Sequence, residues 1–220
     1  MHAKSARYMK EYDSYIFDLD GTLLDTLDDL AASTNYALRY HQMAERTLDE
    51  VRRFVGNGVA MLIKRAVPEG TSPEHEAQVL ATFRQHYLVH GQDRTKPYPG
   101  IMELLEELHR SGKRVAVVSN KFCAATEELC RHYFGGLVEV AIGEREGIRR
   151  KPAPDTVEEA LRQLEMPAGS AVYIGDSEVD IATAANSGLP CISVLWGFRD
   201  RDFLLSHGAQ CLVATPHEIL

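Results

Sequence analysis

The stretch "YIFDLDGTLLDT" sets two aspartates, Asp18 and Asp20, directly behind an apolar run and in front of Gly21. Alternation along an extended chain puts positions 18 and 20 on the same side. Paired carboxylates there suit chemistry in which one is ionised and the other carries a proton to give away. Among 32 acidic residues, an isolated Asp-x-Asp means little without structural context. The context comes from the other strand ends, because the loops at the carboxyl edge of a parallel sheet share one rim and ligands bind there. A second strand ends in Ser119-Asn120-Lys121. A fourth ends in Gly175-Asp176-Ser177, with Asp180 four residues beyond Asp176, and Lys151 opens the helix that precedes it. One rim thereby collects four aspartates, a hydroxyl, an amide and a lysine. Carboxylates so crowded raise one another's pKa unless a cation compensates. An all-oxygen donor set suits Mg²⁺, which shares oxygens with phosphate, and the lysine and hydroxyl suit phosphate oxygens.

The elements that must hold this rim are legible as short runs rich in Val, Ile and Ala at 15–19, 114–119, 138–142, 171–175 and 190–195. From Tyr98 onward they alternate with helical patterns, the signature of strand-helix-strand units and a parallel sheet. Leu104, Leu105 and Leu108 lie on one face of a helix over 100–110 that stops at Ser111-Gly112. Val157, Ala160, Leu161 and Leu164 do the same over 154–165, with proline at its start and Pro167 beyond its end. Between Thr26 and Lys96 the pattern is helical with no convincing strand: 27–40, 73–90, and between them a capping box at Thr47-Leu48-Asp49-Glu50 that leads into Val51, Phe54 and Val55. "DRTKPYPG" returns the chain to the sheet. The expected fold class is α/β: a Rossmann-like parallel sheet with helices on both faces. Its core is discontinuous, residues 1–25 and 97–220, with an all-helical cap over 26–96.

Composition excludes several classes. Hydrophobic residues make up 45% and charged residues 25% of the 220, which is ordinary for a folded domain. A net charge of −8 argues against a nucleic-acid partner, which needs clustered Lys and Arg; the one basic cluster, 145–151, is short. Cys123, Cys130, Cys191 and Cys211 are too far apart for a Cys-x-x-Cys site and read as buried and reduced. The nine histidines read as offering no metal-binding pair at helical spacing. The polar N-terminal segment lacks the apolar core of a secretory signal, and no run reaches the ~18 apolar residues of a membrane span. A cytoplasmic protein with no membrane partner is expected; oligomeric state has no signature.

Taken together, "DLDGT" at 18–22, "VVSN" ending in Ser119-Asn120, "RKPAPD" with Lys151, and "GDSEVD" at 175–180 closely resemble the four motifs of the haloacid dehalogenase-like hydrolases, in order and across essentially the whole chain. The resemblance implies that Asp18 is a nucleophile forming an aspartyl-phosphate and that Asp20 is the general acid and base. It implies Mg²⁺ on Asp18, the Asp20 carbonyl and Asp176, with Asp180 behind them, and a phosphoryl group bound by Ser119, Asn120 and Lys151. An aspartate at position 20 favours phosphate esters over halides or phosphonates, since dehalogenases lack it and phosphonate-cleaving members carry alanine there. "RRFVGNGVAMLIKRA" at 52–66 resembles the cap segment of phosphoglycolate phosphatases, so the implied substrate is a small phosphorylated metabolite, 2-phosphoglycolate first. A β-phosphoglucomutase-like mutase, a pyrophosphatase and a nucleotidase remain open alternatives. Gly56-Asn57-Gly58 offers backbone N–H groups before a helix, either for a substrate carboxylate or simply as a glycine turn. "WGFR" at 196–199 also resembles that subgroup, and Arg199 reads either as approaching the active site or, by preference, as capping the surface. Outside the family, a phospho-accepting receiver module shares the rim chemistry but not the motif order or the cap.

Overall fold

Strands that are covered on both faces need no polar alternation, and the runs found in the sequence pair for that reason. The computed structural model describes residues 11–220. In it β1 (Ser14–Phe17), β4 (Arg114–Phe122), β5 (Val140–Glu144), β6 (Ala171–Gly175), β7 (Cys191–Val194) and β8 (Cys211–Val213) form one sheet in the order β5-β4-β1-β6-β7-β8. Every adjacent pair is parallel. β1 lies at the centre, with Phe17 opposite Val117 of β4 on one side and Ile174 of β6 on the other. Strand order reverses there, which is where an open α/β sheet opens a crevice at its carboxyl edge.

Helices cover the sheet through apolar stripes. α7 (Asp155–Leu164) buries Val157, Ala160, Leu161 and Leu164 against Ile16, Ala116, Val118, Ile142 and Tyr173. The alternate residues Phe17, Val115 and Val117 are buried too and point to the other face. α5 (Ile101–Arg110) also lies against β4, with Ile101, Leu104, Leu105 and Leu108 buried. It ends as its sequence requires: Gly112 takes φ +69°, and the Lys113 N–H returns to the Leu108 carbonyl at 2.9 Å. α6 (Cys123–Phe134), α8 (Glu178–Asn186) and α9 (Arg201–Ser206) complete the described α-helices of this part.

The described chain divides into two compact units, residues 24–96 and the remainder. The inserted unit contains α1 (Leu27–Tyr40), α2 (Leu48–Phe54), α3 (Val59–Ala66) and α4 (Pro73–His90). The capping box forms at α2, where Glu50 Oε2 accepts from the Thr47 N–H at 2.8 Å and Thr47 Oγ1 accepts from the Glu50 N–H at 3.3 Å. Asp29 on α1 is buried and accepts from the Arg94 and Thr95 N–H groups and from Thr95 Oγ1 at 2.8 to 3.1 Å. A single carboxylate thus ties the outgoing helix to the returning segment.

Several expectations change. β2 (Leu24–Asp25) and β3 (Lys96–Pro97) pair as a two-residue ribbon where no strand was expected, because two residues cannot display a period. β4 runs on to Phe122, so Ser119-Asn120-Lys121 belongs to the strand; its pairing with β5 shifts register between Val118 and Phe122. His86 and His90 do stand four apart on one helix face, with ring centroids 4.4 Å apart. All four cysteines are free, but Cys123 and Cys191 are only partly buried. The N-terminal segment read as lacking a signal sequence lies largely outside the described residues. Among these, no helix is long and apolar enough to cross a membrane.

Removing the Asp29 carboxylate strands two backbone donors, so Asp29→Ala should cost about 2 kcal/mol of stability in urea denaturation and speed hydrogen exchange at the Arg94 and Thr95 amides. Unchanged exchange there would remove Asp29 from this role.

Candidate active site

β1 delivers Asp18 while still in sheet geometry, its N–H donating to the Ile174 carbonyl at 2.9 Å. The chain then turns, with the Thr22 and Leu23 N–H groups returning to the Leu19 carbonyl. Gly21 makes that turn possible twice over: φ is +90°, and a Cβ there would sit 2.5 Å from Asp176 Oδ2. Gly197 meets Asp176 as closely from the other direction, so two bare backbones close around one carboxylate.

Lys151 organises the floor. Its ammonium lies 2.8 Å from both Asp18 Oδ1 and Asp180 Oδ1, with the Tyr173 hydroxyl at 3.1 Å and the Val118 carbonyl at 3.3 Å. Burial opposes its charge, but Asp18 and Asp180 outweigh that and raise its pKa. The Lys151-Pro152 peptide is cis. Asn120 donates its amide to the Lys151 carbonyl at 3.2 Å, linking β4 to this loop. Ser119 is buried, and its Oγ accepts from the Lys121 N–H at 3.2 Å.

At the end of β6, Asp176 accepts from the Phe198 N–H at 2.6 Å and Thr22 Oγ1 at 3.5 Å. Asp180 is bonded on both oxygens: Lys151 and the Tyr173 hydroxyl on Oδ1, the Ser177 N–H and hydroxyl on Oδ2. Asp18, Asp176 and Asp180 bring carboxylate oxygens within 4.8 Å of one another, all buried. Desolvation and the Asp180 charge, held back by Lys151, push Asp18 from 3.8 to about 7. Burial and the charges of Asp180 and Asp18 likewise push Asp176 well up, against the Phe198 N–H. Among the described residues one ammonium contacts this trio, so negative charge is left over. A divalent cation fits that imbalance, and with Asp180 fully bonded, Asp18 and Asp176 are the carboxylates with capacity for it.

Asp18, Asp20, Ser119, Asn120, Lys151, Asp176 and Asp180 thus all belong to one unit and one sheet edge. Gly56, Asn57 and Gly58 belong to the other unit, in the turn between α2 and α3; φ values of +120° and +79° account for both glycines. Arg199, expected at the surface, is buried and paired with Glu178 at 3.1 Å. Two contributors escaped sequence reasoning. Lys121, whose Nζ reaches Asp20 at 3.0 and 3.2 Å, was signalled by its place beside Ser119-Asn120. Tyr173 sits in the apolar run "AVYIG" and reads as core; its phenol is held protonated by burial and by the Asp180 and Asp18 charges.

Residues 15–194 match the haloacid dehalogenase-like hydrolase family. The chain belongs to this family. Phosphoglycolate phosphatase of Mesorhizobium japonicum is 33% identical over 196 residues, 84% of each chain. That of Aquifex aeolicus is 32% identical over 93% of this chain and 97% of its own. The crystal structure of a candidate phosphoglycolate phosphatase from Lactobacillus delbrueckii subsp. bulgaricus superimposes with a TM-score of 0.91, at 38% identity, over 96% of this chain and 97% of that one. This haloacid dehalogenase-like enzyme is a phosphatase, a phosphoric monoester hydrolase. The receiver-module alternative falls with the family assignment.

The raised carboxylates predict the sign of a pH effect. The folded state keeps the Asp18 proton up to about 7, whereas the unfolded chain releases it near 3.8, so folding stability should fall as pH rises through that window. Urea midpoints in chelator should therefore be lower at pH 8 than at pH 5, with the difference reduced in Asp18→Asn; a midpoint rising with pH by way of Asp18 would contradict the assignment.

Proposed function

We propose that this enzyme hydrolyses 2-phosphoglycolate in a Mg²⁺-dependent reaction through an aspartyl-phosphate on Asp18. The observation that carries the reading is the buried Asp18-Lys151-Asp180 group with a second carboxylate, Asp20, two residues along the same strand end. Bound Mg²⁺, held by the Asp18 carboxylate, the Asp20 backbone carbonyl and Asp176, would neutralise charge on the phosphoryl oxygens and keep Asp18 ionised.

The residues then divide the work. Asp18 attacks phosphorus while the ester P–O bond breaks, and the Asp20 carboxyl gives its proton to the departing alkoxide. Asp20, now ionised, takes a proton from water as that water attacks the phosphorus of the aspartyl-phosphate, releasing phosphate and restoring Asp18. Lys151 restrains Asp18 and, with the Ser119 hydroxyl and the Asn120 N–H, holds the transferring phosphoryl oxygens; nearly all of the catalysis is positioning and charge stabilisation. Asp180 orients Lys151 without touching substrate.

The names of the curated relatives support phosphoglycolate over sugar phosphates, and therefore hydrolysis over mutation. The free cysteines agree with a cytoplasmic enzyme. A panel of phosphate esters incubated with Mg²⁺ should release phosphate fastest from 2-phosphoglycolate, and chelator should stop it. Asp18→Asn should lower kcat by about a thousandfold or more with a normal thermal transition. Isomerised sugar phosphate without free phosphate would favour the mutase; full activity in Asp18→Asn would sink the mechanism.

A further inference from the structure

Asp20 must reach a leaving oxygen, yet it sits past the end of β1 on a turn and is the most exposed carboxylate of the rim, its side chain 16% accessible against 11% for Asp18 and none for Asp180. A carboxylate free to rotate there would spend little time aimed at the substrate. Lys121 grips both Asp20 oxygens at 3.0 and 3.2 Å from a side chain only 6% accessible. We infer that Lys121 is a positioning residue for the general acid and base: it fixes the Asp20 carboxylate in the orientation that proton transfer to the leaving group requires.

The backbone is shaped for this. Between Val118 and Phe122 the pairing of β4 with β5 shifts register. Within that irregular stretch the Lys121 N–H bonds the Ser119 hydroxyl, and its carbonyl accepts from Thr126 Oγ1 at 3.4 Å. The neighbouring strand yields to it: a Cβ on Gly143 would lie 2.5 Å from the Lys121 carbonyl oxygen and as close to the Cys123 backbone. The register shift thus places Lys121, unlike Lys151, toward Asp20. The two lysines divide the two carboxylates, Lys151 on the nucleophile and Lys121 on the acid.

This rests on the phosphatase reading above, and the test separates the two. The comparison is between p-nitrophenyl phosphate, whose leaving group departs without protonation, and whichever aliphatic monoester of the panel the wild type turns over fastest. In Lys121→Met, kcat on the aliphatic ester should fall roughly thirtyfold or more, within the range of general acid catalysis. With p-nitrophenyl phosphate the early formation step should change by less than about threefold, since it needs no proton from Asp20. Single-turnover mixing reads that step. Asp20→Asn should show the same dependence on leaving group, and Lys121→Met added to Asp20→Asn should cost little more, as residues acting as a unit do. Lys121→Arg should recover much of the loss. If Lys121→Met does not fold, Lys121→Gln carries the same comparison. Equal losses on both esters, additive losses in the double variant, or a change confined to KM would overturn the proposal and leave the phosphatase reading standing. A wild type that hydrolyses neither ester would overturn both.

Discussion

A lysine ammonium buried between two aspartates holds the site together. Lys151 lies 2.8 Å from Asp18 and from Asp180, in surroundings that admit almost no water. Burying a charge is costly unless it is paired and hydrogen-bonded, and the elements around it satisfy that condition. β1 brings Asp18, β6 brings Tyr173, α8 brings Asp180, and β4 contributes the Val118 carbonyl. Four segments distant in sequence are therefore held in one arrangement by a single cation. The same arrangement presents Asp18 and Asp176 to the crevice, with more negative charge among the three aspartates than the one ammonium cancels.

That excess of negative charge is a functional site's departure from local stability rules. Asp18 is pushed to about 7 by burial and by Asp180, a poor setting for the ionised nucleophile proposed above. A divalent cation would resolve the conflict, because it would favour the ionised form and offer the charge that a phosphate ester needs beside it. The glycine backbones at Gly21 and Gly197 close around the Asp176 carboxylate, where a side chain on either would collide with it.

Much of this was readable from residue order. Continuous apolar runs betray strands buried on both faces, so β1, β4, β6 and β7 were visible to within a few residues. The carboxyl-edge rule gathers Asp18, Asp176, Asp180 and Lys151 from residue order alone. Thr47 and Glu50 announced their capping box because that bond is local in sequence. The features that the sequence does not show have separate causes. The aim of Lys121 follows from a register shift that no hydrophobic pattern encodes. Tyr173 is a core residue in all but its hydroxyl, and Arg199 is buried where Glu178 on a neighbouring helix and the Phe203 ring meet it. β2 and β3 are too short for periodicity to register.

The proposed mechanism requires a covalent bond between Asp18 and phosphorus, with Asp20 needed to break it. The most direct measurement mixes Asp20→Asn protein and Mg²⁺ with p-nitrophenyl phosphate, quenches in acid, and reads the mass of the peptide containing Asp18. A burst of p-nitrophenol matched by one phosphoryl group on Asp18, lasting far longer than a wild-type turnover, is the predicted result. Release of p-nitrophenol and phosphate together, with Asp18 unmodified at every time point, would contradict it.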